Sequence, residues 1–171
     1  GMLEVVEETV KGYTSLEMAK KNAAKVENAL VQQIEDLTTA YELANQAAGD
    51  STLSLDEQSA AALKAMGIKE KLAALEIERA KNNLALVATE MNLNKAAGKS
   101  NESLYSAHTA ALSELKAAQR EYTLAVKENA TQRREINRDA AERELDFLID
   151  LFDKQKTINE QIINSDETTY E

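Results

Sequence analysis

The 171 residues include no proline, no cysteine and no tryptophan, only five glycines, and 30 acidic against 20 basic side chains, a net charge of −10. Without cysteine there is no disulfide framework, no thiolate nucleophile and no cysteine-based zinc site, and the acidic balance argues against general affinity for nucleic acid or an anionic membrane, which needs clustered Lys and Arg. Without proline, and with abundant Ala, Leu, Glu, Lys and Gln, little interrupts an i to i−4 hydrogen-bond ladder, so the composition specifies an all-α protein.

In chain order, the start GMLEVVEETV predicts a short amphipathic helix over about residues 3–11, with Leu3, Val6 and Val10 on one face. It lacks the basic and hydrophobic regions of a signal peptide. Gly12, Thr14 and Ser15 form the first break, and Thr14 with Glu17 has the spacing of a capping box. The first long helix, about 14–48, carries a stripe spaced by threes and fours, Leu16, Ala19, Ala23, Val26, Leu30, Gln33, Leu37, Ala40, Ala44 and Ala47, the seam of a coiled coil.

AAGDSTLS at 47–54 ends that helix, with Gly49 suited to the left-handed position beyond it and Ser54 and Glu57 forming a second capping box. The second helix, about 55–97, has Leu72, Leu75, Leu86 and Leu93 on one side and Ile77, Leu84, Val87 and Met91 on another, which places it between two neighbours. Its Gly67 is the weakest point, costing about 1 kcal/mol relative to alanine. AAGKSNES at 96–103 is the next break, with Gly98 again at a helix end.

The third helix, about 101–164, starts in the same register with Leu104, Ala111, Leu115, Ala118, Tyr122 and Ala125, then crosses the polar stretch KENATQRRE at 127–135. At about 1.5 Å per residue the three helices would be roughly 50, 65 and 95 Å long. They cannot match. In an antiparallel bundle joined by short loops, the third draws level with the start of the second near residue 144, and the rest overhangs. Residues 1–144 are thus predicted as the bundle, 145–164 as a projecting apolar helix. Asn164, Ser165 and Asp166 are good caps, so 165–171 would begin a further helix cut short.

The overhang opens with LDFLIDLFD, which holds both phenylalanines. Helical spacing puts Leu145, Leu148 and Phe152 on one face, Phe147, Leu151, Ile158 and Ile162 on another, and Asp146, Asp150 and Asp153 on the remaining side. These seven apolar residues are the candidate partner interface. Burying one such side chain is worth about 1.5–3 kcal/mol, so a cover is expected: a second copy packed antiparallel to form a dimer, a following helix folded back over the overhang, or a helix of another protein, for which the chain would be an adaptor or binding module.

Catalytic and metal chemistry have little to build on. His108 is the only histidine, so any Ser-His-Asp triad would depend on it, and no Glu-x-x-His pair or phosphate-cradling glycine loop is present. Glu70, Glu76, Glu78 and Glu90 are interleaved with Lys69, Lys71, Arg79 and Lys81, as on a solvated helix. Tyr13, Tyr41, Tyr105, Tyr122 and Tyr170 are too scattered to form a base-stacking platform. No stretch reaches the ~20 apolar residues of a membrane helix. The expectation is a protein without enzymatic activity, metal or cofactor.

The stretch RELDFLIDLFDKQKTINEQIINSDETTYE, residues 143–171, resembles segments of the long helical tail tape-measure proteins of phages and prophages. The resemblance implies a structural role in which helical length sets how far a tail tube polymerises, exercised in the bacterial cytoplasm during assembly and in the virion tail. It implies no pocket and no catalytic residue. The capped hairpins depart from that pattern, because they fold the chain back and shorten it.

Overall fold

A computed structural model describes residues 2–169, and every element in it is helical: α1 at Met2–Ala48, α2 at Leu55–Ala96, a 3₁₀ turn at Glu102–Leu104 and α3 at Tyr105–Thr169. The chain is all-α, with three long helices that pack on one another. Two predicted breaks do not form. α1 runs through Gly12 with no separate N-terminal helix, and Ser15 Oγ donates to the Lys11 carbonyl one turn back at 2.8 Å, a bond made within a continuing helix. The expected face of Leu3, Val6 and Val10, like Tyr13 and Tyr170, lies outside the described side chains. α3 likewise continues through Asn164, Ser165 and Asp166 to Thr169, where a new helix is expected. The reason is the same at both places. A cap residue acts only if the backbone leaves helical geometry, and continuing an existing helix adds a hydrogen bond without a new nucleation cost.

The other two breaks form, by different chemistry. Between α1 and α2, Asp50 Oδ1 accepts from the Thr52 N–H at 2.9 Å and the Thr52 hydroxyl at 2.7 Å, closing an Asx turn. The Ser54–Glu57 capping box follows: Glu57 N–H donates to Ser54 Oγ at 3.2 Å and Ser54 N–H to Glu57 Oε2 at 2.9 Å. Gly49 keeps a negative φ, so the left-handed conformation expected of it is not used. Between α2 and α3 the expected geometry is complete. Gly98 has φ +69°, its N–H donates to the Lys95 carbonyl at 3.2 Å, and Lys99 N–H donates to the Asn94 carbonyl at 2.8 Å, the paired bonds of a Schellman ending. Asn101 Nδ2 then donates to the Met91 carbonyl at 2.9 Å and ties the turn to α2.

The chain divides into two units, residues 1–129 and 130–171, where the helix-length arithmetic puts the division at 144/145. In the first, α2 has partners on two sides. Toward α1, Arg79 Nε and Nη2 donate to Glu27 Oε1 at 2.9 and 2.5 Å, and Asn82 Nδ2 to the Ala23 carbonyl at 3.0 Å. Toward α3, Asn83 Nδ2 donates to Glu114 Oε2 at 3.2 Å and Lys69 Nζ pairs with Glu128 Oε2 at 2.6 Å. Along each pair one residue number rises as the other falls, so both neighbours run antiparallel to α2. Its two apolar rows are correspondingly half-buried: Leu72, Leu75, Leu86 and Leu93, and Ile77, Leu84, Val87 and Met91.

The core is small-residue. Ala44, Ala65 and Ile68 form its centre, packed by Leu37, Ala40, Tyr41 and Leu72, while Ala80, Ala111 and Ala125 are buried elsewhere along the interfaces. Alanine lets helix backbones approach closely and costs no side-chain entropy, but removes little apolar area from water. The covered face of α1 follows the predicted seam at Leu16, Ala19, Ala23, Leu30, Leu37, Ala40, Ala44 and Ala47 and departs from it at two positions, where Glu27 and Ile34 are half-buried and Val26 and Gln33 exposed.

The second unit is the continuation of α3 over residues 130–169. Half-buried positions recur at Arg133, Ile136, Ala140 and Arg143 and then stop.

Candidate partner-binding face of α3

From residue 144 to residue 167 every side chain is exposed. No proline or glycine falls in this stretch, so nothing competes with the helix, and local pairs support it. Lys154 Nζ lies 2.9 Å from Asp150 Oδ2, Gln155 Nε2 donates to Asn159 Oδ1 at 3.0 Å, and Thr157 Oγ1 donates to the Asp153 carbonyl at 3.0 Å. Each joins residues four apart, the spacing that stacks side chains on a helix surface.

All seven predicted interface residues stand in water. Phe152 is 73% exposed and Phe147 62%, and Leu145, Leu148, Leu151, Ile158 and Ile162 are each close to half exposed or more. Two further residues belong with them, Ile149 and Ile163. Both are visible in the sequence once each residue is rotated about 100° from the last. Ile149 lies beside Leu145, and Ile163 falls in line with Leu145 two and a half heptads on. Together, residues 145–152 spread large apolar side chains over about 200° of the helix, against the ~100° a helix needs to face one neighbour. Beyond Phe152 the apolar arc narrows, because Gln155, Lys156 and Asn159 interrupt it. Asp146, Asp150 and Asp153 occupy the opposite side, where Lys154 answers Asp150.

The arrangement can bury a wide apolar surface against helices, with the aspartate row on the opposite side. Elsewhere, His108 is half-buried on α3, with Ser103 and Ser106 exposed. Among the described residues, no three His, Asp or Glu side chains are grouped so as to hold a metal ion, the glutamates of α2 and the aspartate row of α3 included. Among the tyrosines, Tyr41 packs on the core, while Tyr105 and Tyr122 are exposed on α3. No described helix is long and apolar enough to cross a membrane.

Set against protein-family models, curated proteins and solved structures, the chain matches none.

Proposed function

We propose that this chain is a structural or assembly protein that acts through helix–helix contacts, with residues 145–163 as its principal contact face and no catalytic role. The observation that carries the proposal is the unbroken exposure of 144–167, with nine large apolar side chains in it. At about 1.5–3 kcal/mol for each such side chain fully buried, even partial covering would repay the entropy of association. The occupant we assign is a second copy, paired antiparallel into a dimer. The resemblance of 143–171 to phage tail tape-measure proteins supports an assembly role in a phage-like tail, since such a role needs helical extent and repeated lateral contacts and needs no pocket.

Light scattering on the full chain at tens of micromolar tests the dimer. A dimer that becomes a monomer in Phe147→Asp or Phe152→Asp is the expected result. A monomeric unsubstituted chain overturns self-association and leaves the face to a helix of another protein, the adaptor reading.

A further inference from the structure

A second surface lies in the first unit. Across α2, α1 and α3 form the two walls of a groove of about 760 Å³. Its floor is Ala73, Ala80 and Leu86 of α2, and its walls present Ala23 from α1 and Ala117 and Ala118 from α3. Polar bonds brace it at both sides, Arg79 to Glu27 toward α1 and Asn83 to Glu114 toward α3. The groove is therefore braced on both sides, and apart from Leu86 its apolar lining is all alanine. Facing helix layers interdigitate best where large side chains on one meet small ones on the other, so the complement of this surface is a helix with a bulky apolar edge.

Charge narrows the occupant further. Arg79 is committed to Glu27 and Glu76, at 2.5 and 3.6 Å. What remains is one basic group on the α1 wall, Lys20, and two acidic ones on the α3 wall, Glu114 and Glu121, seven residues and so two turns apart on the same side of that helix. A helix lying along α3 meets both carboxylates if it carries Lys or Arg at i and i+7 on that flank. The chain's own helix at 145–163 is a poor fit, since its charges run to five acidic against two basic over 144–163 and would face this wall with like sign.

We infer that this groove is a docking slot for one amphipathic helix of another protein, with Leu- or Ile-sized residues directed at the alanine floor and basic residues along the flank facing Glu114 and Glu121. Occupied, it completes a four-helix arrangement around α2.

The test uses the full chain and two synthetic helical peptides of three heptads, identical in their leucine edge, one with lysine and one with glutamate on the flank. Fluorescence anisotropy should give the lysine peptide at least about tenfold tighter binding, an advantage that shrinks as salt shortens the screening length. Ala117→Trp, which fills the groove from an exposed position, and Glu121→Lys should each remove most of that binding while circular dichroism shows the helices unchanged. Equal binding of the two peptides, no binding of either, or binding indifferent to Ala117→Trp overturns the inference. So does binding that survives Ala117→Trp and is lost in Phe152→Asp, which would place the peptide on residues 145–163.

Discussion

Asn129 of α3 donates through Nδ2 to the Met66 carbonyl of α2 at 2.8 Å and to Glu70 Oε1 at 3.0 Å, from a position with no exposure to solvent. Both amide protons are used, and Oδ1 is buried without a hydrogen-bond partner. A buried amide of this kind adds little stability but rejects registers in which it would meet only apolar groups. Asn129→Asp turns the donor into an acceptor facing a carbonyl and a carboxylate, and should cost about 3 kcal/mol or more in chemical denaturation at neutral pH. Asn129→Leu takes both donors away without adding a charge and should cost less, about 1–3 kcal/mol. A tolerated aspartate would show that this contact does not set the α2–α3 register.

Ser54→Ala removes one half of the α2 capping box and should destabilise the chain by about 1 kcal/mol. Glu57→Gln keeps a side chain able to reach the Ser54 N–H and should cost less. Urea unfolding of the two variants compares them directly.

The glycines at 49, 67 and 98 should respond to alanine with different signs. Gly98 has φ +69°, where a Cβ costs about 1–2 kcal/mol. Gly67 sits inside α2 with nothing within 4 Å of an added Cβ, so Gly67→Ala should stabilise by about 0.5–1 kcal/mol. At Gly49 the added methyl would meet only the Gln46 and Asn45 carbonyl oxygens at 3.8 and 3.9 Å, ordinary contacts, and the change should be mild. Melting temperatures rank the three.

The two Thr52 hydrogen bonds, the hydroxyl's first and the backbone N–H second, hold the Asp50 carboxyl below the usual carboxylate range. A lowered folded-state pKa means the turn's contribution is complete above the unfolded value and is lost as pH falls through the folded one. Following the Asp50 carboxyl by NMR should show a titration moved toward the ordinary value in Thr52→Ala. An unchanged midpoint would remove the hydroxyl as the cause.

Phe152→Asp should leave the fold intact. With 73% of the residue already in water, the substitution removes little packing, and unfolding measured at concentrations too low for association should shift by no more than about 0.5 kcal/mol. A larger loss would assign Phe152 a role in folding and undo the separation of folding from assembly on which the proposed contact face depends.

Much of the architecture is legible without coordinates, because helix propensity, the 3.6-residue repeat and cap chemistry act over a few neighbouring residues. That is why α2, its Ser54 cap and the Gly98 ending fall where local rules put them, and why the apolar bulk of 145–163 stands out. The same rules overcount breaks. Gly12 and Asn164–Asp166 carry turn-compatible residues, yet a helix already nucleated runs through both.

The sequence by itself determined the helical class, the antiparallel hairpins and the two-sided character of α2, all consequences of local bonding and apolar spacing. Only the tertiary structure decided which polar residues are interior. Asn129 stands in the polar run KENATQRRE and belongs by composition to a solvated face, yet it is fully buried, because its two donors meet a carbonyl and a carboxylate that only the pairing of α2 with α3 brings together. The alanine-floored groove has the same origin. Its three stripes are unremarkable along the chain, and they form a surface only when three antiparallel helices set them side by side.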